Sequence, residues 1–338
     1  MKLYAGIDLH SSNCYLGIID ENLEKVFGKR LTNSLDSVID CLAPYKQELQ
    51  GVVVESTYNW YWLVDGLQEQ GCKVHLANPA AVKQYEGIKY SDDKWDAFWL
   101  AHMLKLGILP QGYIYPKESR PVRDLLRRRM LFVRQRTADI LSFQSMIARN
   151  AGKQMSVNNI KKLSEADLEK LFSDPDLLFT AQRYLGVINL LSQQIKMMEK
   201  QAMSKVGLTE PFKWLSTITG VGKILAMVIM MEVGDIARFE KVGNYCSYCR
   251  CVRSERLSNG KKKGVGNKKN GNKYLSWAYV EAANFCIRHD ARAAKFYQRK
   301  KAKSNGVVAI KALSNKLARA SYYMMRDHVP FNSRMLFA

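Results

Sequence analysis

Short apolar runs of strand length alternate with helix-period stretches over the first hundred residues. Leu3-Tyr4-Ala5-Gly6-Ile7-Asp8-Leu9 reads as a buried strand, and Cys14 to Asp20 as its hairpin partner across the turn residues His10, Ser11, Ser12 and Asn13. Val26 to Leu31 supplies a third antiparallel strand, and Ser34 to Leu49 patterns as a helix capped by Asn33 or Ser34. Gly51 to Thr57 is a further β-branched strand. Trp60 to Leu67 is helical with Gly71 as its C-cap, and Lys73 to Ala77 is a last strand before Pro79. A helix starting near Ser91 and running through Leu104 completes the order β-β-β-α-β-α-β-α: hairpins first, parallel crossovers after.

Pro116 and Pro121 punctuate a change of pattern. Arg120 to Arg149 lacks internal glycine and predicts one long helix, its apolar stripe of Val122, Leu126, Val133, Ile140 and Ile147 broken by Arg129 and Arg136. Gly152 to Asn159 reads as a linker, and Ser164 as the cap of a short helix from Glu165 to Phe172, closed by Pro175. Leu177, Ala181, Tyr184, Ile188, Leu191, Ile195, Met198 and Ala202 then alternate spacings of four and three, a heptad seam. Antiparallel pairing with the 120–149 helix would bury that seam, and so would a partner subunit. Beyond it, Ile224 to Val233 packs as core, Tyr245 to Cys251 is apolar, Tyr274 to Arg288 is helical, and Ala291 to Met325 is helical and basic. These patterns divide the chain into 1–115, 116–205 and 206–338.

Charge changes the picture more than composition does. The chain carries a formal net charge of +21, which points to a polyanion, since neutralised phosphates release counterions and supply affinity without sequence information. Residues 1–100 hold 9 basic and 14 acidic residues, whereas the remainder holds 43 and 17. An acidic head suited to cations thus precedes a basic body suited to phosphates. Eight arginines fall between Arg120 and Arg149 against two aspartates, so Arg123, Arg127, Arg128 and Arg134 are assigned to a phosphate-binding face. The alternative is a solvated basic helix.

Seven cysteines without a signal-peptide pattern, and no apolar run of membrane length, predict a soluble protein of a reducing compartment. Cys246, Cys249 and Cys251 cluster, but a zinc site needs a fourth ligand at suitable spacing, and a buried core is the expected role.

Two other stretches carry chemistry. Asp8 stands inside an apolar strand, which is costly unless the carboxylate is paired or metal-bound; Glu55 ends another strand, and Asp92, Asp93 and Asp96 crowd one helix start. Asp93 and Asp96, at i and i+3, leave one helix face close together and raise each other's pKa unless a cation intervenes. A plain acidic helix cap is the competing explanation. The second stretch, Arg253 to Lys273, is rich in glycine and holds eight basic residues. Lys261, Lys262, Lys263, Lys268 and Lys269 read as phosphate contacts on a loop, with a disordered linker as the alternative. Gly220-Val221-Gly222-Lys223, before an apolar helix, resembles a helix-hairpin-helix whose turn offers backbone N–H groups to phosphate; a plain glycine-rich helical turn fits the same residues.

Gly6-Ile7-Asp8, Val54-Glu55 and Asp93-Lys94-Trp95-Asp96-Ala97 resemble the Asp-Glu-Asp-Asp signature of the RuvC-like DEDD transposases, which include the Piv DNA invertase and the bridge-RNA-guided insertion-sequence recombinases. The family motif opens Lys-Thr-Asp, whereas Ser91-Asp92 fills the first two places here, so Asp92 competes with Asp93. The resemblance implies a multidomain α/β plus α architecture: an RNase H-like head, a helical coiled-coil middle and a mainly helical C-terminal transposase domain. It also implies a prokaryotic, cytoplasmic, nucleoid-associated homo-oligomer, dimer or tetramer. Asp8, Glu55, Asp93 and Asp96 are expected to hold two Mg²⁺ ions about 3.5–4 Å apart. Gly271-Asn272-Lys273-Tyr274-Leu275 matches a second family motif, and its nucleophile falls on Ser258, with Ser254 as the alternative because Asn259 separates Ser258 from Gly260. Ser258 would form a covalent link to cleaved double-stranded DNA, activated by the metal-bound carboxylates, with a structured non-coding RNA choosing both sites. Two rivals remain: a Mg²⁺-dependent Holliday-junction nuclease without a covalent intermediate, and a non-catalytic nucleic-acid-binding scaffold.

Overall fold

A computed structural model of the chain describes residues 1–82, 92–206, 209–266 and 270–338. These form two compact units, Met1–Lys117 and Glu118–Ala338. The first is a mixed α/β unit and the second mainly helical, so the expected α/β plus α organisation is present.

In the first unit the strands are β1 (Leu3–Leu9), β2 (Asn13–Ile19), β3 (Lys25–Thr32), β4 (Leu49–Glu55) and β5 (Val74–Ala77). They lie in the order β3-β2-β1-β4-β5, antiparallel across the first three and parallel across the last three. The helices are α1 (Leu35–Leu42), α2 (Tyr61–Glu69), α3 (Pro79–Val82) and α4 (Asp93–Lys105). The expected helix from Ser34 to Leu49 ends at Leu42: Pro44 sits in a short 3₁₀ turn, Ala43–Tyr45, and β4 has begun by Leu49. Ser34 is its cap, accepting from Ser37 N.

Strand periodicity sorts the side chains into two layers. Leu3, Ala5, Ile7 and Leu9 of β1 join Leu16, Ile18, Val52 and Val54 in a core with Val38 and Leu42 of α1 and Leu63, Val64 and Leu67 of α2. The opposite face carries glycines. Gly6 pairs with Gly17 and Gly17 with Gly28, a row across three strands. A Cβ on Gly6 would stand 2.0 Å from the Ala97 carbonyl oxygen, and Cβ atoms on Gly17 and Gly28 would meet the Phe98 ring at 2.9 and 3.0 Å. The row is a trough into which α4 settles, with Ala97, Phe98 and Ala101 buried against it.

In the second unit, α5 (Arg120–Ala151) and α8 (Pro175–Val206) pack side by side, with α6 (Val157–Ile160) and α7 (Glu165–Leu171) between them in sequence. Arg129 bonds Glu199, Arg136 bonds Ser192 and Ser142 bonds Tyr184, so one helix descends as the other rises. This antiparallel pair buries much of the heptad seam within one chain: Ala181, Ile188, Ile195 and Ala202 are all buried. Pro175 opens α8 rather than closing α7, a position where its missing N–H costs nothing. The rest comprises α9 (Glu210–Ser216), α10 (Lys223–Val233), α11 (Val242–Tyr248), a hairpin of β6 (Arg256–Ser258) and β7 (Lys261–Gly264), α12 (Lys273–His289), α13 (Ala291–Ala302), α14 (Gly306–Asp327) and α15 (Ser333–Phe337). One core gathers Ala226 and Ile229 of α10, Tyr245 of α11, Tyr279 of α12 and Leu317 of α14. No described helix is long and apolar enough to cross a membrane.

Candidate active site

Ile7 of β1 pairs with Val54 of the parallel β4, so the next residue on each strand, Asp8 and Glu55, stand together at the carboxyl ends. Alternation puts Asp8 on the face of Gly6 and Glu55 on the face of Val53, the face that α4 covers. α4 delivers Asp93 and Asp96 from its first turn. Its N-cap is Asp92, whose carboxylate accepts from Trp95 N at 2.7 Å. The helix-cap explanation thus describes Asp92, while Asp93 turns towards the sheet.

Asp93 meets a histidine and an arginine there. His10 Nε2 lies 3.0 Å from Asp93 Oδ1 and 3.1 Å from Asp8 Oδ2, and Arg30 Nη2 lies 2.6 Å from Asp93 Oδ2. Asp8, His10 and Asp93 each offer one ligand atom, all within 4.8 Å of one another. Asp8 is only 2% exposed, and its Oδ2, despite the nearby imidazole, accepts no aligned hydrogen bond.

The electrostatics follow from that crowding. Burial pushes the Asp8 carboxyl up to about 7; its hydrogen bond with Glu55 and the charges of Glu55 and Asp96 add to the rise, against the pull of His10. The bond from His10 holds Asp93 below the usual carboxylate range, with Arg30 contributing. Burial works to lower His10, yet the bond to Asp93 and the surrounding carboxylates carry it above its ordinary value. Four carboxylates thus converge, one of them buried with an unsatisfied oxygen. His10 and Arg30 were not among the predicted site residues. One signal was available for His10: it stands two residues beyond Asp8, the spacing that puts two side chains on one side of an extended chain.

In the second unit Ser258 ends β6 and is exposed; it pairs with Lys261 across a two-residue turn of Asn259 and Gly260, at φ 50° and 68°. The basic stretch expected as a loop is therefore in part a hairpin, with Lys261, Lys262 and Lys263 exposed on β7. Ser254 is half-buried. Lys268 and Lys269 lie outside the described residues.

The predicted phosphate-binding arginines divide. Arg128 and Arg134 are exposed. Arg123 and Arg127 instead face Glu232 of α10, which is buried: Arg123 Nε lies at 3.1 Å, Arg127 Nε and Nη2 at 2.6 and 2.8 Å, and Asn272 Nδ2 at 2.7 Å. Burial works to raise the Glu232 carboxyl, but the bonds and charges of the arginines, with Asn272, bring it below the ordinary range. Asn272 in turn caps α12 by accepting from Tyr274 N and Leu275 N, which gives the Gly271-Asn272-Lys273-Tyr274-Leu275 stretch its structural role.

Gly220, at φ 93°, packs so closely on α12 that a Cβ would stand 2.5 Å from Ala282 O, whereas Gly222 and Lys223 open to solvent at the start of α10. Cys246, Cys249 and Cys251 are buried in the core, where burial raises the Cys246 thiol to about 11 and Cys251 to about 12.

Residues 5–149 match a family model of DEDD transposases of the IS110 type, and residues 213–298 match that of the transposase IS116/IS110/IS902 family. No curated protein matches the chain. The first match takes in the carboxylate cluster with β1 to α5, and the second takes in the Ser258 hairpin with Asn272 and most of α12. Together they show that the chain belongs to the IS110-type DEDD transposases, a family of DNA-processing enzymes.

Proposed function

We propose that the protein cleaves and exchanges DNA strands between a mobile element and its target, with Asp8, Glu55, Asp93 and Asp96 holding two Mg²⁺ ions and Ser258 as nucleophile. The observation that carries this reading is the convergence of carboxylates on Asp8, whose buried Oδ2 accepts no aligned hydrogen bond. A hard divalent cation fits that donor set, and when bound it polarises a phosphodiester. The β3-β2-β1-β4-β5 order supports an RNase H-like head.

The chain's own groups divide the labour. Asp8 and Glu55 present their carboxylates from rigid strands, and Asp93 and Asp96 from a helix seated in the glycine trough. The Ser258 hydroxyl, exposed beside Lys261, adds to phosphorus; the bond from phosphorus to the departing strand breaks, and that strand leaves as a hydroxyl carrying the serine proton. Lys261, Lys262, Lys263, Arg128 and Arg134 contact backbone phosphates without reading sequence, joined by Lys223 and the Gly220–Gly222 turn. Lys268 and Lys269 extend the same basic segment. Sequence choice falls to a structured guide RNA, as the family resemblance implies, in a homo-oligomeric complex.

Replacing Ser258 by alanine should abolish denaturation-resistant protein–DNA adducts while sparing DNA binding. Adducts at normal yield would remove Ser258 from the role. Cleavage by the unaltered protein with no adduct at all would favour water as the attacking group.

A further inference from the structure

The carboxylate cluster contains a donor that an all-oxygen Mg²⁺ site does not need. His10 Nε2 is placed almost equally from Asp8 Oδ2 and Asp93 Oδ1, at 3.1 and 3.0 Å. The position is built. His10 N donates to Asn13 O at 2.9 Å, and the His10 carbonyl accepts from Asn33 Nδ2 and Asn59 Nδ2, both at 3.0 Å. Three partners from separate parts of the unit therefore fix the backbone of a turn residue whose side chain is 44% exposed.

A second observation points into the same space. Asp8 Oδ2 is buried without an aligned hydrogen bond, so the oxygen facing His10 lacks a satisfying partner. Burying a carboxylate oxygen in that state is costly, and a cation shared with Asp93 removes the cost. The three ligand atoms lie within 4.8 Å of one another, close enough for one ion to reach all three after small side-chain adjustments.

We propose that His10 is a metal ligand, and that of the two positions assigned above to Mg²⁺, the one it shares with Asp8 and Asp93 binds a first-row transition ion such as Mn²⁺ more tightly than Mg²⁺. The ground is donor chemistry: Mg²⁺ demands oxygen ligands and keeps its waters, whereas first-row ions accept imidazole nitrogen. Glu55 and Asp96 remain to complete an oxygen-rich neighbourhood. The inference rests on the carboxylate-site reading above, but it adds a residue and a metal preference that the four acids do not imply.

The test uses the full-length protein with Mn²⁺ as probe. Pulsed electron paramagnetic resonance of the Mn²⁺-loaded protein should show ¹⁴N modulation from a coordinated imidazole, absent in His10→Ala. Competition titrations should show the Mn²⁺-over-Mg²⁺ preference dropping about ten- to a hundred-fold in His10→Ala, the range typical of losing metal-site support. Thermal melts of the variant confirm that it folds, and His10→Gln supplies a second variant with an oxygen donor that should lose the nitrogen signal while retaining Mg²⁺ binding. Mn²⁺ bound without nitrogen modulation, or an unchanged preference in His10→Ala, overturns the role of His10 and leaves the four-acid site standing. If Asp8→Asn binds Mn²⁺ as tightly as the unaltered protein, the carboxylate-site reading itself falls.

Discussion

Replacing Gly6 by alanine should disable the acid site by moving a helix. The new Cβ would stand 2.0 Å from Ala97 O and 2.8 Å from Ala101 N, both backbone atoms of α4 that cannot rotate away. Ordinary contact begins near 3.4 Å, so α4 has to retreat by about 1.4 Å at Ala97. Asp93 and Asp96 sit in the turn just before Ala97, whereas Asp8 stays on β1. The 3.0 Å approach of His10 to Asp93 would open beyond hydrogen-bond reach. Metal–ligand distances tolerate only about 0.2 Å, and displacements near 1 Å cost roughly a hundredfold in rate. Overpacking adds about 1–3 kcal/mol of destabilisation. Calorimetric titration with Mn²⁺ and thermal melting should therefore show affinity at least about tenfold weaker and a lower Tm. Gly186→Ala in α8 is the control: its Cβ meets nothing within 4 Å, and a mid-helix alanine gains up to about 1 kcal/mol. Unaltered affinity and Tm in Gly6→Ala would refute the trough as the device that sets the carboxylate spacing.

Three other outcomes follow from the same geometry. Asp8, raised from 3.8 to about 7, keeps its proton in the fold and loses it in the unfolded chain across that window, so metal-free stability should fall as pH rises through it, by up to about 1.4 kcal/mol per unit. His10, also raised, acts in the same sense, its contribution present below its unfolded pKa and lost as pH passes the folded one; melts in chelator should show the decline, and Asp8→Asn should flatten it. Asp92→Ala should cost about 1 kcal/mol through the lost cap while Mn²⁺ affinity persists, whereas Asp93→Ala should lose that affinity; equal losses in titration would contradict the division of roles. Glu232→Gln should destabilise by about 3–5 kcal/mol in denaturant melts, since two arginines lose their carboxylate, whereas Arg128→Ala and Arg134→Ala should leave stability alone and each flatten the salt dependence of DNA binding by about one unit of slope.

The sheet was legible because most of its strands are short apolar runs bounded by turn residues, and the elements follow the order β-β-β-α-β-α-β-α, with α3 as an added short turn. What failed locally had local causes. Helix α1 was overextended because apolar spacing continues past Pro44, although proline's missing N–H ends the regular turn. The Ser258 hairpin had a readable signal in Asn259-Gly260, both at positive φ, but the surrounding lysines and glycines made the segment look like a loop. Non-local contacts were a different matter. Arg123 and Arg127 share a basic helix with Arg128 and Arg134, and only the approach of α10 separates those that hold Glu232 from those left in solvent. His10 became part of a site only when α4 brought Asp93 across the sheet edge.

Asp8 and Glu232 show how a buried acid announces its task. Both interrupt apolar segments, and both are almost wholly buried, at 2% exposure. Glu232, inside the apolar run Ile224 to Val233, carries the same sequence signal as Asp8 in its apolar strand. Their surroundings then diverge. Glu232 draws Arg123, Arg127 and Asn272 from its own chain, so its charge is stabilised and its carboxyl held low. Asp8 is given Glu55 and Asp96 as neighbours, keeps an oxygen without an aligned bond, and is driven up to about 7. A chain that supplies the countercharge builds a strut; one that gathers further carboxylates instead leaves a deficit of positive charge that a bound cation can meet. The direction of each shift therefore separates the structural acid of the basic body from the acid of the head to which we assign a metal.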